Sequence, residues 1–213
     1  MRAQAAAGLA GITAVVVGLV LPGAPPKTSD SVAHITHTLL DKRTEFLVST
    51  YVLALGCLLL LVFMGGLRAH LGRDDPLAGS AFGAGVVAVA LVMTGTATIA
   101  GLVFTAAGMH DGAVIRALVD AGNAQFAMAG LAWAAALLSG SAAAARTGAL
   151  PGGLRVLGYA AGALLVVTGL SLALDHGPLE AGGALNLLGT LPLIVWIVGV
   201  SVVMLRRSGA TSS

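Results

Sequence analysis

Charge is scarce in this chain: only 9% of its 213 residues are Asp, Glu, Lys or Arg. A soluble domain carries about 25% charged residues, because most of its surface must meet water. Eleven basic and nine acidic side chains cannot cover a globule of this length. An ordinary soluble enzyme and a disordered chain are thereby excluded. The same scarcity of charge excludes a nucleic-acid module, despite a sequence pI near 9.1. Aromatic residues are also few, at 4%, and Trp133 and Trp196 do not mark membrane interfaces cleanly. The lone cysteine, Cys57, rules out an intrachain disulfide and any cysteine-based metal cage. It sits in the apolar run LALGCLLLLVF, where a thiol behaves as a small hydrophobe.

What fills the chain instead is hydrocarbon: 57% hydrophobic residues and a mean hydropathy of +0.97. A bilayer core about 30 Å thick needs roughly 20 mostly apolar residues per spanning helix. Six stretches qualify, over residues 4–21, 46–67, 77–107, 124–145, 153–174 and 185–205. The third exceeds the required length, so it tilts or carries a non-spanning turn at one end. Alternation of apolar and polar residues, the mark of a membrane barrel, is absent from the sequence. The expected fold is therefore all-α: a single polytopic bundle over 1–213, with connections at 22–45, 108–123 and 175–184.

Basic residues set the orientation. One side of a six-span chain holds seven, namely Arg2, Arg68, Arg73, Arg146, Arg155, Arg206 and Arg207; the other holds Lys27, Lys42, Arg43 and Arg116. The excess places both termini in the cytoplasm. With the acidic residues included, the inner side sums to +5 and the outer to −3. The expected location is the cell (inner) membrane. The alternative for the first span is a cleaved signal peptide, which would leave five spans and an outward N-terminus.

Helices in lipid associate through small residues that let backbones approach. Thirty glycines and long alanine stretches suit that, with GxxxG pairs at Gly79/Gly83 and Gly158/Gly162. These faces serve either packing within one chain or a homo-oligomer. Pro192 should bend the sixth span. Thr94, Thr96 and Thr98, near the middle of the third, are expected to bond back to their own helix carbonyls.

No Asp, Glu, Lys, Arg or His lies in the central part of any span. Proton relays need titratable groups at depth, so a proton-driven carrier does not fit. The polar residues gather at the outer ends instead. In KTSDSVAHITHTLLDKRTEF, the caps Ser29, Asp30 and Ser31 open a short amphipathic outer helix before the second span. As one helix, this segment would put His34, His37, Asp41 and Glu45 within about 80° of one another. Two imidazoles and two carboxylates there suit a divalent metal; a solvated stripe opposite membrane-facing Ile35, Leu39 and Leu40 suits the same residues. In MHDGAVIRALVDAGNAQF, Arg116, Asp120 and Asn123 share a face leading into the fourth span, with Gln125 at the boundary. An Arg116–Asp120 pair is one reading of that face. LALDHGPLEAGGALN adds Asp175, His176, Glu180 and Asn186.

Converging, these segments would form an outward polar cup above an apolar interior, with Glu45, Asp120, Asn123 and Asp175 at its floor. The first functional expectation is a binding or accessory protein whose cup takes a small molecule, lipid, ion or protein partner. Arg116, Asn123, Gln125, His176 and Asn186 would be its ligand contacts; His34, His37 and Asp41 would hold the metal, if there is one. The second is an enzyme on an isoprenoid or acyl substrate, with Glu45, Asp120 or Asp175 as general acid or base. The third is a passive pore or carrier. The sequence names no cofactor.

The stretches DAGNAQFAMAGLAWAAALLSG, RTGALPGGLRVLGYAAGALL and DHGPLEAGGALNLLG, with the terminal VVMLRR, carry a resemblance. The chain resembles a widespread, functionally uncharacterised group of bacterial, largely actinobacterial, six-span membrane proteins. In that group an aspartate and an asparagine precede the fourth span and a Gly-x-Leu-Pro turn leads into the fifth. Asp120, Asn123 and Gly148-Ala149-Leu150-Pro151 stand in those places here. Gly152-Gly153 replaces the basic and aromatic residues common in the group. The resemblance implies a fold and no settled activity.

Overall fold

The computed structural model describes residues 1–23, 26, 29–105, 111–173 and 184–210. Among these, every regular element is helical: α1 Arg2–Val20, α2 Val32–Asp41, α3 Arg43–Leu71, α4 Pro76–Thr105, α5 Gly112–Thr147, α6 Gly152–Thr168 and α7 Ala184–Ala210, with a 3-10 turn over Gly169–Ala173 after α6. All but α2 contribute a stretch long and apolar enough to cross a membrane, α6 doing so together with the 3-10 turn, over Gly152–Leu172. Apolar side chains cover their outer faces too: Val62 of α3, Val87 of α4, Met128 of α5, Val156 of α6 and Val195 of α7 are all exposed. A helix apolar all round belongs in a large core or in lipid, and these faces look away from the core. The protein is a multi-pass membrane helix bundle.

The six spans close into a ring. Each packs chiefly on the next in the chain, α1 on α3, α3 on α4, α4 on α5, α5 on α6 and α6 on α7, and α7 returns to α1. One end of the ring, the short-loop end, carries the connections Gly72–Asp75 and Gly148–Pro151, the start of α1 and the end of α7; the other, the long-loop end, carries α2 with the end of α4 and the start of α5.

Small residues set the seams. Gly11 of α1 and Gly56 of α3 bring their backbones together: a Cβ on either would lie 2.9–3.0 Å from the other's carbonyl oxygen. Gly158 seats on Ser141 and Trp196, and Gly162 on Leu138 and the Ala134 carbonyl. The second GxxxG pair is thus used inside the chain. Gly79 and Gly83 meet nothing within 4 Å, so that pair faces outward.

The short-loop end is tied down by polar groups. Gly148, at φ 68°, caps α5 in the left-handed region that glycine adopts without penalty. Its carbonyl accepts from Arg207 at 3.3 Å, while His70 meets the Ala149 carbonyl at 3.2 Å. Asp75 caps α4 through the Leu77 and Ala78 amides and faces Arg146 at 3.7 Å.

Three expectations change at the other end. Residues 112–123 are not a loop: α5 runs from its Asp111 cap for 36 residues, about 54 Å at 1.5 Å per residue, well beyond the hydrocarbon. Ile35 and Leu39 of α2 do not turn to the membrane. They are buried against Phe46, Leu102, Val103, Ile115 and Val119, because α2 lies on the projecting ends of α3, α4 and α5. The helix also breaks at Lys42 (φ −105°, ψ 27°), so Glu45 belongs to α3 and not to the face bearing His34, His37 and Asp41. Pro192 lies within α7, which continues as a helix through it.

Candidate functional site

A cavity of about 290 Å³ occupies the long-loop half of the ring, lined by all six spans. Its wall changes character with depth. At the middle of the bundle it is Ile12, Cys57, Leu60, Val89, Trp133 and Ile197. Toward the long-loop end it carries Ser49, Thr50, Thr96, Asn123 and Thr190 among apolar neighbours. The outermost boundary is the strand of chain after α1, where Pro22, Gly23 and Pro26 border the space.

That boundary is held in place. Gly23 sits at φ 76°, a left-handed turn suited to glycine, and Lys42 Nζ donates to the Pro22 carbonyl at 3.0 Å. Farther along, Arg116 of α5 donates to the Asp30 carbonyl at 2.6 Å. Ser31 caps α2 by accepting from the His34 amide. Lys42 and Arg116 therefore tie Pro22 and Asp30 to the starts of α3 and α5.

The wall hydroxyls have local bonds. Ser49, 5% exposed, donates to the Gly18 carbonyl at 2.6 Å and so links α3 to α1. Thr50 donates to Phe46 O at 2.9 Å and Thr96 to Val92 O at 2.7 Å. Thr94 and Thr98 also bond back along α4, as expected of membrane threonines, and Thr98 Oγ1 lies 3.2 Å from Gln125 Oε1. Each hydroxyl has one proton to give, so Ser49, Thr50 and Thr96 turn only acceptor lone pairs toward the cavity.

Toward the opposite end the cavity is closed by packed side chains. Val200 and Met204 of α7, Leu71 of α3 and Leu137 of α5 are all fully buried.

The anticipated site residues divide. Asn123 lines the cavity. Asp120 precedes it by three residues, about 4.5 Å farther out along α5 and within about 60° round the helix. Its Oδ1 is buried without a hydrogen-bond partner among the described residues. Gln125 pairs with Thr98 between α4 and α5. Arg116 is turned to Asp30. Glu45 stands exposed in the first turn of α3. His34, His37 and Asp41 are exposed on α2, and among the described residues no group of three or more His, Cys, Asp or Glu could hold a metal ion. Asp175, His176 and Glu180 lie outside the described residues, as does the side chain of Asn186. The sequence reading passed over Ser49 and Thr50 as wall residues. Their signal was positional: hydroxyls at a similar depth on α3, α4 and α7, toward one end of otherwise apolar helices.

Fold and cavity together define a class: a six-span membrane protein with a mostly apolar chamber in one half of the bundle, carrying a few hydroxyls and an amide toward its end. No family model, curated protein or solved structure matches the chain.

Proposed function

We propose that the protein is a membrane receptor or carrier-type binder for a small lipid-soluble molecule, taken up into the chamber from the outer side of the cell membrane. The observation that carries this is the chamber itself, walled by all six spans and graded from hydroxyl- and amide-bearing at one end to apolar at midplane. Ligand sites are concave, mostly apolar and furnished with a few placed polar groups. The seven-to-four distribution of basic residues turns the long-loop end outward. Membership of the six-span bacterial group belongs to the same proposal.

Binding is favoured over the two alternatives by particular features. An enzyme acting on an isoprenoid or acyl chain through an outer carboxylate needs that group at the chain, and the described lining residues include none: Glu45 is exposed, and Asp120 stands one turn beyond Asn123, away from the apolar wall. A pore needs a continuous path, and fully buried Val200, Met204, Leu71 and Leu137 fill the other half.

The test is to fill the chamber. A Cβ at Gly130, on the wall, would meet only Leu165, at 3.9 Å, so Gly130→Leu projects into open space. Mass spectrometry of lipid-soluble molecules co-purifying with the protein should show a species enriched with the native chain and depleted at least severalfold with Gly130→Leu. Identical extracts from two equally well-folded proteins would end the proposal.

A further inference from the structure

We infer that the occupant of the chamber is a single-chain amphiphile whose head donates hydrogen bonds, an amine or an alcohol, and that anionic heads are rejected. This rests on the binding role proposed above and names the chemistry selected there.

The geometry of the wall carries it. The lining hydroxyls and the Asn123 amide lie toward the mouth, and the wall at the middle of the bundle is mostly apolar, so an amphiphile enters tail first. From Asn123 to Trp133 the wall runs ten residues along α5, about 15 Å of helix, which leaves length for a chain rather than a compact ring system. Near the head, acceptors predominate. Ser49, Thr50 and Thr96 have given their protons to the Gly18, Phe46 and Val92 carbonyls, so each offers a ligand only an oxygen lone pair. Asp120 Oδ1, one turn beyond Asn123, is buried and lacks a hydrogen-bond partner among the described residues. A carboxylate oxygen held out of water is costly until a donor reaches it. The Asn123 amide both donates and accepts and has contacts of its own.

Of the described cations at this end, Lys42 donates to the Pro22 carbonyl and Arg116 to that of Asp30. The outer connections also sum to −3. An anionic head would meet three hydroxyls that offer only lone pairs, whereas an ammonium or hydroxyl would meet acceptors at the right depth.

Tryptophan fluorescence reads the outcome. Trp133 lines the chamber, whereas Trp196 is packed against Gly158, so Trp196→Phe leaves one reporter at the tail end. The protein is reconstituted in phosphatidylcholine vesicles and titrated with three long-chain probes brominated toward the methyl end: a primary amine, an alcohol and a carboxylate. Quenching is compared at equal measured concentrations in the membrane. The amine and the alcohol should quench Trp133 saturably, with the carboxylate at least about tenfold weaker, the ratio one hydrogen bond to a charged group supplies. Asp120→Asn should bring the amine down to the level of the alcohol. Saturable quenching that ignores the head, or an unchanged amine preference in Asp120→Asn, would overturn the head-group inference and leave the chamber a binding site. Saturation by none of the three would overturn the binding reading itself.

Discussion

The two halves of the ring are built from the same residue types and reach opposite results. In the short-loop half, Gly158 meets Ser141 and Trp196, Gly85 meets Met64, and Gly8 meets Ser201 and Phe63. Large side chains reach into the notches left by glycines, and the interior is solid. In the long-loop half, Gly18 still meets Leu53 and Gly122 meets Ile99, but Gly130 lies on the cavity wall with open space before it. Glycine content therefore does not separate packed from hollow. What separates them is whether a large residue on the facing helix points into the notch, which in lipid is the chief source of helix association.

The sharpest way to break that comparison is to place one side chain in each half. Gly158→Leu should destabilise the bundle by the upper end of the about 1–3 kcal/mol typical of overpacking, because Trp196, 1% exposed, and Ser141, 0% exposed, have no room to yield. Gly130→Leu should leave stability unchanged or raised, since a good helix former replaces glycine over empty space. Unfolding in mixed micelles, followed by Trp fluorescence, compares the two. Equal destabilisation would show that the long-loop half is not hollow.

A smaller effect belongs to the seam beside the chamber. Ser49→Ala removes the bond from α3 to the Gly18 carbonyl and should cost about 1 kcal/mol. The same measurement should register it, together with faster hydrogen exchange at the long-loop end of α1. A cost below the error of the measurement would mean that glycine packing alone holds α1 to α3. The smallest change should come from outside the ring. Gly83→Leu, where a Cβ meets nothing within 4 Å, should shift stability by no more than about 0.5 kcal/mol. If the outward Gly79/Gly83 face serves a homo-oligomer, energy transfer between labelled chains in vesicles should fall in this variant. Gly162→Leu should instead damage the single chain, because Gly162 already packs on Leu138.

Much of this architecture was legible beforehand because hydrocarbon imposes few solutions. With so little charge and six apolar stretches, helices were required and their number followed. The Ser31 cap and the back-bonded threonines of α4 were readable too, being local geometry within a few residues. The candidate site was harder. A chemistry-bearing residue draws attention when it ionises, and Glu45, His34 and His37 drew it, yet they stand exposed to solvent. The wall is made of Ser49, Thr50, Thr96 and Thr190, whose hydroxyls carry no charge and resemble ordinary packing residues in a linear string. Only Asn123 belongs to both readings.

Sequence alone determined the solvent, the secondary structure and the confinement of ionisable groups to the ends, since each follows from the energy of removing a polar or charged group from water. Tertiary structure alone decided that α7 closes on α1, that α2 lies on protein rather than lipid, and that one half of the ring is left open. Those outcomes depend on which side chain on one helix meets which notch on another, and that pairing joins residues as distant as Gly8 and Ser201.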